Sequence, residues 1–399
     1  MLCQFTVKNF KSIKDEITFD MQASTITEHA DTIIETEDGE QFLPVSAIYG
    51  ANAGGKSTVI EVLYALVNKV TLPLSVASNM GNVHIADPMY DIVPFLFSEE
   101  TVNEPTAFEI FFRTAKAEYR YRLSVKREVI VYESLHRIKF ETGRQSALYE
   151  RTGDEIILKG DFSKLKAGKE ISNTLPLISY LGITYGENEI VADVLSWFDK
   201  GINLLNYGNP FQELRAAMAK SEETRKLILD MIKEMDLDIV DLRIEKSDDD
   251  ITRFYTTHIV DGYRAELNFN DESSGTKKII GLLPYIAESL VNGSTLVIDE
   301  MDAKLHPLLI KHVIGMFTDK EINKNHAQLI FTSHDLSTMN NEVFRRDEIW
   351  FVAKGNKQNT KLYSLVEFKD EKGFSIRKDA KYDKQYLEGK YGAIPKFKS

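Results

Sequence analysis

The chain has almost no cysteine, since Cys3 is the only one among its 399 residues. A single thiol cannot close a disulfide within the chain, and it cannot form a metal site built from several cysteines. Disulfides are common in oxidising compartments and rare in the reducing cytoplasm. The cysteine count therefore predicts a cytoplasmic protein.

Long apolar segments are also missing from the sequence. No run approaches the roughly 18–20 apolar residues with which a helix crosses a bilayer. The N-terminus, Met1 to Phe5, lacks the basic and then apolar pattern of a secretory signal peptide. We therefore expect no membrane segment and no membrane partner.

Positive charge is in deficit, because 49 Lys and Arg against 61 Asp and Glu give a net charge of −12. A protein that coats nucleic acid usually presents a basic surface, so this balance argues weakly against that role. Eight Lys and Arg lie between Lys372 and Ser399, and a contact with nucleic acid there stays open as an alternative. The simpler interpretation of this segment is a solvated tail.

The pattern of apolar residues divides the chain into three parts. Residues 1–160 begin with two short strands and contain an antiparallel β region over 108–140. Residues 161–237 have helical spacing, with helices expected over 190–205 and 211–235, and we interpret them as an insertion. Residues 238–399 first alternate like strands over 238–270, broken by an acidic turn at 248–250, and then complete an α/β domain with the first part. In this last part we expect helices at 275–291 and 306–318 and strands at 295–298, 328–332 and 348–352.

A glycine-rich loop follows the apolar strand predicted at 42–49. It reads Gly50-Ala51-Asn52-Ala53-Gly54-Gly55-Lys56-Ser57, and Thr58 opens a helix predicted to end at Val70. This is the G-x-x-x-x-G-K-[ST] pattern, and it lies between a strand and a helix, which is the context in which it binds phosphate. The alternative is an ordinary glycine-rich turn, which does not require a strand before it and a helix after it. Glycines let backbone N–H groups approach phosphate oxygens. Lys56 is expected to reach the β- and γ-phosphates of a nucleotide, and the Ser57 hydroxyl to bind Mg²⁺.

Two adjacent carboxylates, Asp299 and Glu300, follow the strand predicted at 295–298. Asp299 is expected to hold the hydration shell of Mg²⁺, and Glu300 to polarise an attacking water as general base. The alternative is a strand that simply reaches the surface, and in isolation both interpretations are equally good. A phosphate-binding loop in the same chain favours the catalytic interpretation.

Three further candidates lie near these carboxylates in the sequence. Ser273, Ser274 and Gly275 precede an apolar-faced helix and could offer donors to a γ-phosphate, with a plain helix N-cap as the alternative. Asp302 follows the carboxylate pair. His334 ends another apolar strand, where it could sense a γ-phosphate, although a lone histidine is more often an ordinary surface residue.

The order of these motifs resembles that of the ABC ATPase superfamily, specifically its RecF- and SMC-like heads. The opening segment Phe5 to Ser12 also looks like the first strand of those heads, and by this resemblance Lys11 and Ser12 are nucleotide neighbours. The family signature L-S-G-G-Q corresponds to residues 272–276, which lack the leucine, the first glycine and the glutamine. No Q-loop glutamine is assigned, although Pro94-Phe95 lies roughly where it would fall.

The resemblance implies an α/β, ABC-type P-loop ATPase head with ATP and Mg²⁺ as ligands. It also implies a head-to-tail homodimer or higher oligomer. Each ATP would lie between the Lys56 loop of one subunit and the Ser273 and Gly275 donors of the other, with Asp302 crossing the interface. Loss of the γ-phosphate on hydrolysis would release the dimer. The catalytic residues implied are Lys56, Glu300 and His334.

Three further segments indicate a narrower family: Tyr132 to Leu135, Asp347 to Val352, and Tyr386 to Pro395. Together they resemble RloA- and AbiL-type AAA ATPases over nearly the whole chain. Members of that family are encoded beside a TOPRIM-like RloB protein and are implicated in defence against phage. The resemblance implies an ATPase or sensor subunit with a separate RloB-like effector. By its composition alone, Tyr391 to Pro395 is only a tight apolar anchor.

Other functions fit parts of the pattern. A RecF/SMC-like ATPase could act in DNA repair or DNA-end sensing. A transporter ATPase is disfavoured by the poor signature match, and an ATP-gated scaffold without turnover is disfavoured by the general base Glu300. OLD-family proteins share such heads and add a C-terminal TOPRIM nuclease. Only 65 residues follow His334, so we expect no nuclease in this chain.

Overall fold

The computed structural model of the protein describes residues 1–78, 91–168, 171–205, 214, 222–235, 239–246, 252–369 and 373–394. Its strands are β1 (Leu2–Lys8), β2 (Ile17–Asp20), β3 (Ile34–Glu35), β4 (Gln41–Phe42), β5 (Val45–Gly50), β6 (Thr106–Arg113), β7 (Ala117–Lys126), β8 (Val129–Lys139), β9 (Gln145–Thr152), β10 (Glu155–Leu158), β11 (Ile202–Leu204), β12 (Ile239–Lys246), β13 (Thr252–Val260), β14 (Tyr263–Asn268), β15 (Thr295–Ile298), β16 (Gln328–Ser333), β17 (Ile349–Lys354) and β18 (Thr360–Ser364). Its α-helices are α1 (Lys56–Ala77), α2 (Glu99–Val102), α3 (Leu177–Tyr185), α4 (Glu189–Ser196), α5 (Glu222–Glu234), α6 (Ser274–Asn292), α7 (Pro307–Thr318) and α8 (Tyr382–Leu387).

Six of the described strands form the central sheet, in the order β11-β15-β16-β5-β17-β18. The first five run parallel, and β18 pairs antiparallel with β17 at the edge. Every residue of β5, β15 and β16 is buried, as expected for parallel strands covered on both faces. The carboxyl ends of these three neighbouring strands, at Gly50, Ile298 and Ser333, therefore lie at one edge of the sheet.

The central sheet separates two hydrophobic cores. Side chains of β5 alternate between them, so that Val45, Ala47 and Tyr49 join α6 and α7, while Ile48 joins α1. Seven described strands, β10-β9-β8-β7-β6-β1-β2, form an antiparallel sheet that contributes to the α1 core. Its strand β7 alternates buried and half-exposed residues, so one face packs inward. The predicted antiparallel region is confirmed, and it extends to Leu158.

Helix α1 corrects two expectations. It continues through Pro73 to Ala77, whereas the apolar pattern predicted an end at Val70. By length and composition it is also apolar enough to cross a bilayer, contrary to our expectation that no such segment exists, and half of its most apolar stretch is buried inside the protein. A helix at the centre of a core has the same character, and Leu63 and Leu66 are fully enclosed there.

The predicted insertion contains two short helices, α3 and α4, and then changes structure. A π-helical turn over Trp197–Gly201 leads into β11, which pairs in parallel with β15. The helix predicted over 190–205 is therefore wrong at its end, because Ile202–Leu204 completes the edge of the central sheet. Helix α3 packs on α1, where the Ser179 hydroxyl donates to the Val70 carbonyl at 2.7 Å.

The rest of the chain follows the predicted alternation closely. Strands β12, β13 and β14 form a three-stranded antiparallel sheet where 238–270 was expected to be extended. The helix predicted over 211–235 corresponds to α5 where it is described, and the acidic turn at 248–250 lies outside the described residues. The boundaries 1–160, 161–237 and 238–399 stay predictions.

Candidate nucleotide site

The phosphate-binding loop joins the buried end of β5 to the first turn of α1. Gly55 immediately precedes the helix with φ of 108°, and Ala53 has φ of 58°. A side chain at Gly55 would place Cβ 2.1 Å from the Thr360 hydroxyl oxygen, so glycine is required there. N–H groups in the first turn of a helix have no partner within the helix and attract anions. The loop therefore has the geometry that a phosphate group needs.

Lys56 lies beneath this loop and is only 7% exposed. Its ammonium group donates to the carbonyl oxygens of Gly50 at 2.9 Å and Ala51 at 3.4 Å. Burial lowers the pKa of Lys56, and nearby carboxylates, chiefly that of Asp299, oppose this shift. The structure thus places a buried cation beside the acidic residues at the end of β15.

The two predicted carboxylates share one positioning residue, Thr332 of β16. The Thr332 hydroxyl donates to Asp299 Oδ1 and accepts the backbone N–H of Glu300 at 2.7 Å. Glu300 has φ of 48°, a conformation that costs energy for a residue with a side chain, and its carboxylate is exposed. The hydrogen bond from its N–H therefore helps to hold this backbone conformation.

Replacing Thr332 with valine should test this arrangement. The side chain keeps its shape, but Asp299 loses a donor and the Glu300 N–H loses its acceptor, which costs about 1–3 kcal/mol when such a group is buried. We expect a lower Tm and at least about a tenfold loss of ATP turnover, which is less than the about 10²–10⁴-fold that complete loss of a general base costs. Thr106→Val removes an equally buried hydroxyl in β6 and should lower Tm alone. Unchanged turnover in Thr332→Val would show that Thr332 does not position the carboxylates.

His334 lies close to both Asp302 and Lys56. The backbone N–H of His334 donates to Asp302 Oδ1 at 3.2 Å, and His334 Nδ1 lies 3.5 Å from Lys56 Nζ. The His334 side chain is exposed, as a residue that contacts a nucleotide must be before the nucleotide binds. Five predicted residues are thus brought together at the strand ends: Lys56, Asp299, Glu300, Asp302 and His334.

The Ser-Gly loop (residues 272–276) begins α6. Ser273 is the N-cap, and its hydroxyl oxygen accepts the Thr276 N–H at 3.1 Å, so the plain N-cap alternative describes its bonding within one chain. Ser273 and Ser274 are both exposed. Lys278 donates to the Glu300 carbonyl at 2.8 Å, which ties the first turns of α6 to the carboxylate loop. The loop therefore lies next to the carboxylate pair that follows β15 and presents its hydroxyls to solvent.

The residues present fit a hydrated Mg²⁺ ion. Ser57 in the first turn of α1 and Asp299 after β15 are both partly exposed and offer a hydroxyl and a carboxylate oxygen, which are ligands that Mg²⁺ prefers. Within the described ranges, no group of three His, Cys, Asp or Glu side chains could hold a metal ion.

Further contacts to the phosphate-binding loop, made by β18, were not predicted from the sequence. Thr360 of β18 donates to the Gly54 carbonyl at 3.1 Å and shares a 2.8 Å hydrogen bond with the Ser12 hydroxyl. Ser12 also bonds to Thr58 at 3.1 Å, which supports its expected place beside the site. Lys11 forms an ion pair with Glu61 of α1. No local pattern around Thr360 could reveal this contact, because its partners are distant in the sequence.

The family profile described as "AAA domain, putative AbiEii toxin, Type IV TA system" matches residues 45–340. This span begins with β5 and includes the phosphate-binding loop, the Ser-Gly loop, the carboxylate pair and His334. No curated protein sequence matches the chain.

The solved structures similar to the chain include heads of SMC proteins. An SmcHead bound to the C-winged helix domain of ScpA is 14% identical with a TM-score of 0.49, covering 91% of this chain and 97% of that one. The SMC head domain from Thermotoga maritima is 16% identical with a TM-score of 0.45, covering 91% and 98%. A Smc head domain with an extended coiled coil, bound to the C-terminal domain of ScpA and derived from Pyrococcus furiosus, is 13% identical with a TM-score of 0.43, covering 91% and 96%.

The family match extends over well more than half of the chain. The structure places a P-loop at the end of the central parallel strand β5, the histidine at the end of the neighbouring strand β16, and the carboxylate pair at the end of the next strand, β15. The protein therefore has an α/β fold with a P-loop at the end of a central parallel strand, and it belongs to the family described as "AAA domain, putative AbiEii toxin, Type IV TA system".

Proposed function

We propose that the protein binds ATP with Mg²⁺ and hydrolyses it to ADP and phosphate in a head-to-tail homodimer. The observation that carries the proposal is the convergence of Lys56, Glu300 and His334 at the carboxyl ends of three neighbouring parallel strands. A phosphate-binding loop, a general base and a histidine at one edge are the parts that phosphoryl transfer to water needs.

Each residue has a role that its position supports. Lys56 and the N–H groups at the start of α1 bind the β- and γ-phosphates. Glu300 accepts a proton from the water that attacks the γ-phosphorus, and His334 contacts the γ-phosphate oxygens. Ser57 and Asp299 hold Mg²⁺, which would neutralise phosphate charge.

The dimer is supported by the exposure of the Ser-Gly loop. Donors at the start of a helix, placed beside the catalytic edge and facing solvent, suit a phosphate that belongs to a second subunit. Each ATP would then lie between the phosphate-binding loop of one subunit and Ser273 and Gly275 of its partner. Asp302 would cross the same interface.

We further propose that this ATPase is a cytoplasmic sensor subunit in defence against phage, acting with a separate RloB-like TOPRIM effector. The segments Tyr132 to Leu135, Asp347 to Val352 and Tyr386 to Pro395 support this role through their resemblance to RloA and AbiL ATPases. Cells that carry both genes should plate phage less efficiently than cells in which Lys56→Met replaces the wild type. Equal plating would refute the defence role and leave the ATPase proposal standing.

Mixing two inactive variants tests the composite site. Lys56→Met and Ser273→Arg should each abolish turnover, because each damages both sites of a homodimer. In an equal mixture, half of the dimers are mixed, and each mixed dimer has one intact site, so about a quarter of wild-type turnover should return. No recovery from two folded variants would show that ATP is not held between subunits.

A further inference from the structure

The C-terminal segment over residues 386–394, called here the docked tail, reaches the phosphate-binding loop. The Ala393 carbonyl accepts the backbone N–H of Ala51 at 3.1 Å. Ala393 is 2% exposed, so this hydrogen bond is shielded from water. The sequence alone indicated only an apolar anchor here, and the structure shows a polar contact with the loop.

Ala51 links the docked tail, through hydrogen bonds, to the residues proposed to bind phosphate. Its carbonyl accepts the Gly54 N–H at 3.0 Å and lies 3.4 Å from the Lys56 ammonium group, which donates to it. One residue of the loop is therefore bonded on one side to the docked tail and on the other to Gly54 and Lys56. A shift of Ala393 would move both.

The docked tail is itself fixed firmly against the strand beside the loop. Tyr391 is 1% exposed and stacks on Phe351 of β17, with ring centroids 4.9 Å apart. Phe351 lies opposite Tyr49 in the pairing of β17 with β5. The Tyr391 carbonyl accepts the Tyr363 hydroxyl, and the Tyr386 hydroxyl donates to the Ala393 carbonyl at 3.0 Å.

We propose that the docked tail is a positioning element of the ATP site, in which the Ala393 carbonyl holds Ala51, and through it Gly54 and Lys56, in the phosphate-binding conformation. This inference rests on the proposed function, since it concerns how well the loop binds ATP. A tail that served only to complete the core would stabilise the fold without changing nucleotide affinity.

The test uses the full chain with Tyr391→Ala, which removes the ring that seats the docked tail. We expect the Kd for ATP with Mg²⁺, measured by calorimetry, to rise at least about tenfold, or about 1.4 kcal/mol. Tyr391→Phe keeps the ring and should restore the wild-type Kd. Phe162→Ala removes an equally buried ring outside the nucleotide site and should lower Tm without changing Kd.

A second variant covers the case in which Tyr391→Ala does not fold. The double variant Tyr363→Phe/Tyr386→Phe keeps both rings and removes the two hydroxyls that hold the tail carbonyls, and it should raise the Kd several-fold. Hydrogen exchange at the Ala51 amide, measured without nucleotide, should also become faster in either variant.

The outcomes separate this inference from the proposed function. Folded tail variants with wild-type Kd and wild-type exchange at Ala51 would overturn the positioning role while the ATPase proposal stands. A wild-type protein that binds no ATP would overturn the proposed function, and with it the effect on affinity. Faster Ala51 exchange in the tail variants would then still show that the docked tail holds the loop.

Discussion

Replacing Glu300 with glutamine is expected to stop ATP turnover and leave ATP binding intact. The amide has the size of the carboxylate but cannot accept the proton of the attacking water, and the loss of a general base costs about 10²–10⁴-fold in rate. The loop should keep its shape, because the hydrogen bonds described for it involve the Glu300 backbone, which bonds to Thr332 at 2.7 Å and Lys278 at 2.8 Å.

This variant should also change the mass of the protein in solution. With ATP and Mg²⁺, light scattering should find Glu300→Gln at twice the mass of one chain, while wild type returns to single chains as ATP is consumed. Glu342→Gln alters an exposed carboxylate on the loop before β17 and should behave as wild type. Near-normal phosphate release from Glu300→Gln would remove Glu300 from the mechanism, and an unchanged mass would argue against the ATP-bound dimer.

Replacing Lys56 with methionine is expected to abolish ATP binding rather than turnover alone. Methionine keeps much of the apolar stem and removes the cation that reaches the β- and γ-phosphates. A hydrogen bond to a charged group contributes about 1.5–3 kcal/mol, and two phosphate contacts together would weaken affinity by at least about 100-fold. The melting temperature should change little, since burial already disfavours the charged form of Lys56 and lowers its pKa.

A matched control lies on the same helix. Burial also lowers the pKa of Lys69, which lies further along α1, so Lys69→Met removes a comparable charge away from the loop. It should bind ATP as wild type does in the same titration. If Lys56→Met bound ATP with wild-type affinity, the loop would not be a phosphate site, and the roles given to Asp299 and Glu300 would lose their basis.

The parts of the site that are continuous along the chain could be predicted from the local sequence. The loop from Gly50 to Ser57 was predictable because glycines, a lysine and a hydroxyl must follow one another between a strand and a helix. Asp299 and Glu300 were predictable because an apolar strand ends there. In each case the chemistry lies within a few neighbouring residues.

Contacts between distant segments could not be predicted in this way. Thr332, Thr360 and Ala393 support the site through hydrogen bonds to residues far away in the sequence. Threonine and alanine are common in any fold, so neither residue type signals such a role. Only the order of strands in the central sheet brings them to the loop.

The secondary-structure error had a similar cause. Residues 190–205 have the apolar spacing of one helix, and the first half forms α4. Ile202–Leu204 instead extends along β15, whose backbone groups on the side away from β16 offer a ladder of hydrogen bonds. Tertiary pairing outweighed the local preference for helix, as it often does at the edge of a sheet.

The order of strands has a consequence for how the chain is made. In the central sheet Val45 pairs with Leu329, and Ala47 pairs with Ile349. At about 5–20 residues per second, a ribosome needs roughly 15–60 s to add the segment that separates these partners. The glycine-rich loop is therefore synthesised well before β16 and β17, the strands that pair with β5, and Ala393 is added later still. A prematurely terminated chain that ends before β17 lacks both the strand that pairs with β5 on its second side and the contact of Ala393 with Ala51.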